Sequence, residues 1–397
     1  MFDQAMTWHE PPQTTLISGP AGCGKTEAAL DAIVDARTFG SAFSPIWVLL
    51  PTGEQVHAFR RRLLKRSEDG VQFGVEFFNF NDLYGRLLDL FGNPQRQIGE
   101  TARYQVLRAI TTWLADNGAL EVFGPIAGTS GFIGLVAGLI HELKQELILP
   151  EAFAAAAETR TPKDRDLARI YATYQQFLQE RRLVDRHGAG WLAVEMVEHA
   201  AALPLTPDLL VVDGFDQFNR VHVRLLTALA RHIPQTILTL TQAPGAHGRR
   251  FRRLEQTRAR LLAVGPDIWR AEQLDSYNCP AQAARPPVLD HLLNTLFESS
   301  PARIAKDESL TLIEAPDIVR EVQAVLRGVK RRLLAGTPPD EIAIVARQPG
   351  LYSAALRETA RAYGIPYARV AGDDAVVAGV AAFLADASSP FLLEVDC

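Results

Sequence analysis

Cysteine is scarce in this chain: 397 residues hold three, Cys23, Cys279 and Cys397. They lie too far apart for CxxC metal spacing and are too few for a disulfide framework, so neither a metal–sulfur site nor a stapled scaffold is expected, and a reducing compartment is. Long hydrophobic runs are missing too. No stretch approaches the roughly eighteen uncharged apolar residues of a membrane span. The opening MFDQAMTWHEPPQ has no basic region leading into an apolar one, so the expectation is a cytoplasmic protein without a membrane partner. Nor is there a surplus of positive charge, because 41 Lys and Arg face 46 Asp and Glu, for a net −5. That excludes a uniformly basic nucleic-acid coat but leaves room for a local positive channel. With 47% hydrophobic and 22% charged residues, disordered and fibrous classes are excluded and the length suffices for two or three domains.

What is present reads first as α/β. Thr14–Ser18 is β-prone and runs into a glycine-rich loop, after which Lys25–Ala36 places Ala29, Leu30, Ile33 and Val34 on a helical stripe. Ile46–Leu50 is a continuous apolar run of the kind buried in a parallel sheet, Gln55–Arg66 a basic helix, and Val75–Phe80 a further strand. From about Glu100 to Ala202 only helices are expected. Leu135, Leu139, Leu143 and Leu147 recur every four residues, and Leu167, Ile170, Tyr171, Tyr174, Phe177 and Leu178 keep a 3.6-residue period. Alternation resumes with a strand at Leu209–Val212, a helix at Val221–Arg231 and a strand at Thr236–Thr241. Residues 1–99 and 203–277 are therefore expected to build one sheet domain around a helical insertion at 100–202. The proline-rich segment 278–309 reads as a linker. A second α/β unit, 310–397, is expected to start with a strand at Leu310–Ala315. A helix at Asp317–Leu334, a strand at Glu341–Ala346, a helix at Leu351–Tyr363 and a strand at Ile365–Val370 follow. The chain stops at Cys397 inside an apolar helical pattern, which reads as truncation.

Gly19-Pro20-Ala21-Gly22-Cys23-Gly24-Lys25-Thr26 matches GxxxxGKT and falls between a strand and a helix. Glycines let successive backbone N–H groups curl around a phosphate, and the helix N-terminus adds positive potential. Lys25 would bridge the β- and γ-phosphates of ATP, and Thr26 would offer its hydroxyl to Mg²⁺; a plain glycine-rich turn is the alternative. Leu209–Val212 delivers Asp213 to a strand end, either as a second Mg²⁺-side group or as a helix N-cap. Gly214 follows, where motor ATPases of the DExx type place the glutamate that activates water, and Asp216 sits in an uncertain direction. Basic clusters occur at Arg60, Arg61, Arg62, Lys65 and Arg66, and at Arg249, Arg250, Arg252, Arg253, Arg258 and Arg260. DNA contact and solvated helix faces are both open for them.

These residues resemble a known family. Superfamily 1 helicases of the UvrD type order a phosphate loop, a helical insertion, a VDEFQDTN-like motif and a second RecA-like domain, and the middle motif here is Val212-Asp213-Gly214-Phe215-Asp216-Gln217-Phe218-Asn219. The AddB family is the closer likeness, in GPAGCGKT, in VDGFDQF, and in EIAIVARQPGLY followed by YGIPY (Glu341–Tyr352, Tyr363–Tyr367). The resemblance covers nearly the whole chain and is strong at these three stations. It implies a RecA-like P-loop fold with the start of a second such domain, binding of ATP and Mg²⁺, and contact with single-stranded DNA or duplex ends. It also implies a larger AddA-like helicase–nuclease partner in recombination and repair. The family's PD-(D/E)XK nuclease domain and iron–sulfur cluster are not expected in this chain, so no catalytic residue is assigned and slow or absent hydrolysis is anticipated. A translocating helicase and a nucleotide-switched scaffold are the other readings. Arg347 matches the family's ARQP segment, as a functional group or as a strand-end charge.

Overall fold

The computed structural model describes residues 13–39, 44–67, 73–241, 252–273, 286–295, 302–365 and 378–379. They divide into two compact units. The first reaches to Arg285 and takes in Leu293–Ala302; the second is formed by Pro286–Leu292 and the residues from Arg303 onward.

The first unit is built on a six-stranded sheet. Its strands are β1 (Gln13–Gly19), β2 (Ile46–Leu49), β3 (Val75–Phe78), β6 (Leu209–Val212), β7 (Gln235–Thr241) and β8 (Arg270–Gln273). They lie in the order β3-β2-β6-β7-β1-β8, with every neighbouring pair parallel. Strands β2 and β6 are apolar at every position because both faces of the sheet are covered. Ile46, Val48, Leu209 and Val211 pack with α1 (Lys25–Phe39) and α2 (Gly53–Arg66) on one side. Trp47, Leu49, Leu210 and Val212 join a second core with α3 (Phe80–Leu90), α8 (Arg186–His199), α9 (Arg220–His232) and α10 (Arg252–Val264) on the other. Burying each such aliphatic side chain contributes roughly 1.5–3 kcal/mol. Val75–Phe80 does not stay extended to its end: Asn79 caps α3, and Phe80 is that helix's first residue.

Between β3 and β6 the chain forms α4 (Glu100–Asp116), a 3₁₀ turn at Gly124–Ile126, α5 (Ser130–Gln145), α6 (Pro150–Glu158), α7 (Pro162–Glu180) and α8. The segment is not purely helical, since β5 (Leu183–Val184) pairs in parallel with β4 (Arg96–Gln97). The four-residue leucine repeat is not the buried stripe either. Leu135 is 75% exposed and Leu139 only partly buried, and of the repeat Leu143 alone joins Phe132, Ile133, Val136, Ile140 and Lys144 on the buried side of α5. Steps of four residues rotate about 40° away from a 3.6-residue face each time, so a strict four-repeat crosses between the exposed and buried sides within two steps. On α7 the mixed three–four spacing holds its face: Ile170, Tyr171, Tyr174 and Leu178 are buried.

Helix α11 (Pro287–Thr295) lies within the stretch read as a linker. The second unit holds α12 (Ile318–Leu334), α13 (Pro349–Tyr363) and a two-residue antiparallel pair, β9 (Ala343–Ile344) with β10 (Ala378–Gly379). Its core is Val322, Leu326, Val329, Ile342, Leu356, Ala360 and Ile365. Leu310–Ala315 is not a strand. No ladder partner lies beside it among the described residues, and Leu312 stands 90% exposed; a β-prone pattern without a neighbour cannot satisfy its backbone as a strand. The strand expected over Ile365–Val370 lies outside the described residues apart from Ile365.

Candidate functional site

The site forms where β1 ends. Strand β1 lies one place in from the edge strand β8, with β7 on its other side, and its last residue Gly19 opens the turn to α1. Gly22 and Gly24 adopt φ of 77° and 91°, left-handed values that a side chain would oppose by about 1–2 kcal/mol each. Cys23 between them is fully buried, and Pro20 O accepts from its N–H at 3.3 Å. The loop thus turns tightly and delivers Lys25 to the first position of the helix.

Lys25 folds back over this loop. Its Nζ donates to Gly19 O at 3.0 Å and Pro20 O at 2.7 Å, with Cys23 Sγ 3.8 Å away. Burial lowers its pKa, while the nearby Cys23 and Asp213 oppose the shift. An ammonium held against backbone carbonyls in a half-buried turn is a cation short of a full-charge partner.

Asp213 lies at the end of β6, one strand away from β1 across β7. The parallel register sets Val212 opposite Leu238 and Gly19 opposite Thr241, so one carboxylate reaches both neighbouring elements. Thr26 Oγ1 donates to Asp213 Oδ2 at 2.9 Å, and Thr239 Oγ1 on β7 donates to Oδ1. Asp213 is 5% exposed. It does not cap α9: Asn219 does, accepting from His222 N at 2.9 Å. Thr239 escaped the sequence reading because one threonine in a β-prone run carries no mark of which register partner it will meet.

Gly214 follows with φ of 81°. Asp216 is exposed on the connection to α9 and makes no hydrogen bond or ion pair among the described residues. Behind it, Phe215 and Phe218 pack edge-on against Phe80, and the His222 ring stacks on Phe80 with centroids 3.6 Å apart.

The basic clusters are placed unequally. Arg62 and Arg66 both pair with Glu27, the residue after Thr26, and Arg66 also reaches Asp31 at 3.1 Å. Arg60 lies over the Phe77 ring at 5.0 Å. Much of the first cluster therefore fastens α2 to α1. Arg61 and Lys65 are exposed. Arg249 and Arg250 lie outside the described residues. Arg252 and Arg253 are exposed at the start of α10, and Arg260 Nη1 donates to Phe218 O at 3.4 Å. Arg347, in the second unit, lines a cavity of about 490 Å³ together with Glu321, Tyr352 and Leu356. Among the described residues no helix is long and apolar enough to cross a membrane, and no group of three or more His, Cys, Asp or Glu gathers as a metal site.

Comparison with known proteins agrees with the resemblance seen in the motifs. The family model "ADDB, N-terminal" matches residues 16–292, and the chain belongs to that family. An ATP-dependent helicase/deoxyribonuclease subunit of Bacillus subtilis (strain 168) is 25% identical over 374 residues, covering 88% of this chain and 31% of the relative. Its namesake in Desulforudis audaxviator is 27% identical over 371 residues, with the same coverage. The one in Moorella thermoacetica is 28% identical over 341 residues, covering 80% and 29%. The chain thus spans about a third of the length of the relatives it matches.

Proposed function

We propose that this chain is the P-loop, RecA-like N-terminal part of the helicase-like subunit of a DNA break-processing helicase–nuclease, and that it binds Mg·ATP at Gly19–Thr26. The hydrogen bond between Thr26 and Asp213, residues 187 apart in sequence, carries the reading. A hydroxyl at the head of α1 and a buried carboxylate at a strand end are the two oxygen donors that a hard cation beside a triphosphate needs. The loop fits the nucleotide on its own terms, because two glycines in left-handed conformation and a lysine satisfied only by neutral atoms leave both space and charge for a phosphate. Magnesium would neutralise the triphosphate. Lys25 would exchange loop carbonyls for phosphate oxygens, Thr26 and Asp213 would hold the ion, and Thr239 would keep Asp213 in line.

Hydrolysis is slow in this reading. The position after Asp213 is a glycine, so no carboxylate is carried there to orient water, a loss worth about a hundredfold to ten-thousandfold in rate. The nucleotide then serves mainly to stabilise the domain. DNA, as single strands or duplex ends, and a larger helicase–nuclease subunit are the partners that the family resemblance supports. The proposed domain plan keeps the sheet at 1–99 and 203–277, the insertion at 100–202, a connecting segment at 278–309 and part of a second α/β domain at 310–397. Nucleotide affinity measured with Mg²⁺ and with EDTA tests the site: Asp213→Ala should remove the Mg²⁺ dependence, and an undiminished dependence would contradict the metal assignment.

A further inference from the structure

We infer that the groove along the outer side of α9 binds the phosphodiester backbone of a nucleic-acid strand, with Arg220, Arg224 and Arg231 as its phosphate contacts. The inference rests on the reading that the protein works on DNA, and it assigns that contact to a place that neither basic cluster in the sequence marks. Helix α9 buries Val221, Val223, Leu225, Leu226, Leu229 and Ala230 in the core. Its three arginines stand at i, i+4 and i+11, which rotate only about 40° and 20° from one another's line, so they form a single stripe about 16 Å long. Beside the stripe lies a groove of about 490 Å³, floored by Thr227 and Ala228 and walled by Glu198 and Val264. Small floor residues keep it open beneath the guanidinium groups.

The charges in this groove are not balanced. Arg224 is held in a two-pronged pair with Glu198, Nε to Oε1 at 2.9 Å. Arg220 and Arg231 have no ion pair among the described residues, and α9 itself, RVHVRLLTALARH, contains no carboxylate. A solvated helix in a chain of net charge −5 would be expected to mix signs. Arg220 is moreover in the first turn, where the helix dipole opposes a cation and favours an anion. A row of planar forks spaced along a groove matches repeated phosphate oxygens better than an isolated carboxylate.

The test is the salt dependence of binding to a fluorescein-labelled oligothymidylate, read by anisotropy on the whole 397-residue chain. Each phosphate neutralised contributes about −0.7 to the log–log slope for a single strand. Arg220→Ala/Arg231→Ala should therefore flatten the slope by about 1.4 and weaken binding at low salt, with the thermal midpoint and Mg·ATP affinity unchanged. An unaltered slope in the double variant overturns the assignment. So does failure of the wild-type chain to bind the oligonucleotide, including the case in which inorganic tripolyphosphate binds the groove instead. Loss of Mg·ATP binding by the wild-type chain would strike the nucleotide reading alone, since the oligonucleotide measurement needs no nucleotide.

Discussion

Gly214 lies against Gln55: a Cβ built on the glycine would stand 3.4 Å from Gln55 Nε2, and the glycine's φ is +81°. The position where DExx-type ATPases carry glutamate is thus left-handed here as well as without a side chain. From sequence alone, Gly214→Glu looks like a partial restoration of the DExx pattern. The backbone argues otherwise. A glutamate would be opposed by about 1–2 kcal/mol, or would turn the chain out of its path beside Asp213. Gly214→Glu should therefore lower the urea midpoint without raising ATP turnover, by coupled-enzyme assay. Faster turnover with unchanged stability would contradict this.

Lys144 and Asp185 are fully buried and 2.8 Å apart, where α5 meets the start of α8. Tyr174 on α7 donates to the same Asp185 oxygen at 2.8 Å, Gly188 N donates to the other at 2.7 Å, and Trp191 Nε1 donates to Lys144 O at 2.7 Å. Burial lowers the Lys144 pKa and Asp185 opposes that, so each charge depends on its partner. Asp185→Ala should cost about 3–5 kcal/mol because it strands a buried ammonium. Lys144→Met combined with Asp185→Leu should cost much less than the two single changes together. Additive losses in chemical denaturation would show that the pair is not coupled.

Burial pushes the His222 pKa down to about 3, and burial with the His141 ring beside it pushes His187 to about 4. Between those values and the free value of about 6.5 the unfolded chain binds protons that the native state does not. Stability is therefore full above that free value and is lost as pH falls through the window, by at most about 1.4 kcal/mol per pH unit for His222. The urea midpoint should drop between neutral pH and pH about 5. His222→Phe, which keeps a ring on Phe80, should remove part of that drop. An identical pH profile in the variant would contradict the assignment.

How much of this was legible in the sequence depends on whether the constraint is local. The glycine-rich loop before Lys25 and the strand-end Asp213 are each written in consecutive residues, because backbone curvature and strand ends are set by near neighbours. Thr239 and Lys144 are not, since their partners arrive through sheet register and helix packing. Strand β8 was missed because Arg270–Gln273 is short and polar, its place secured by pairing with β1 rather than by its own pattern. Arginines clustered in sequence mislead in the opposite sense. Adjacent residues on a helix point in different directions, so Arg62 and Arg66 turn toward Glu27 while the widely spaced Arg220, Arg224 and Arg231 share one side.

If the loop ending in Lys25 and Thr26 holds Mg·ATP, the lysine's charge must carry much of the affinity. Isothermal titration of the purified chain with Mg·ATP, wild type against Lys25→Ala, tests it most directly. The wild-type chain should bind saturably and Lys25→Ala should not, with the variant still folded because among the described residues Lys25 bonds only to two carbonyls and the Cys23 Sγ of its own loop. Equal affinity in the two proteins would contradict it.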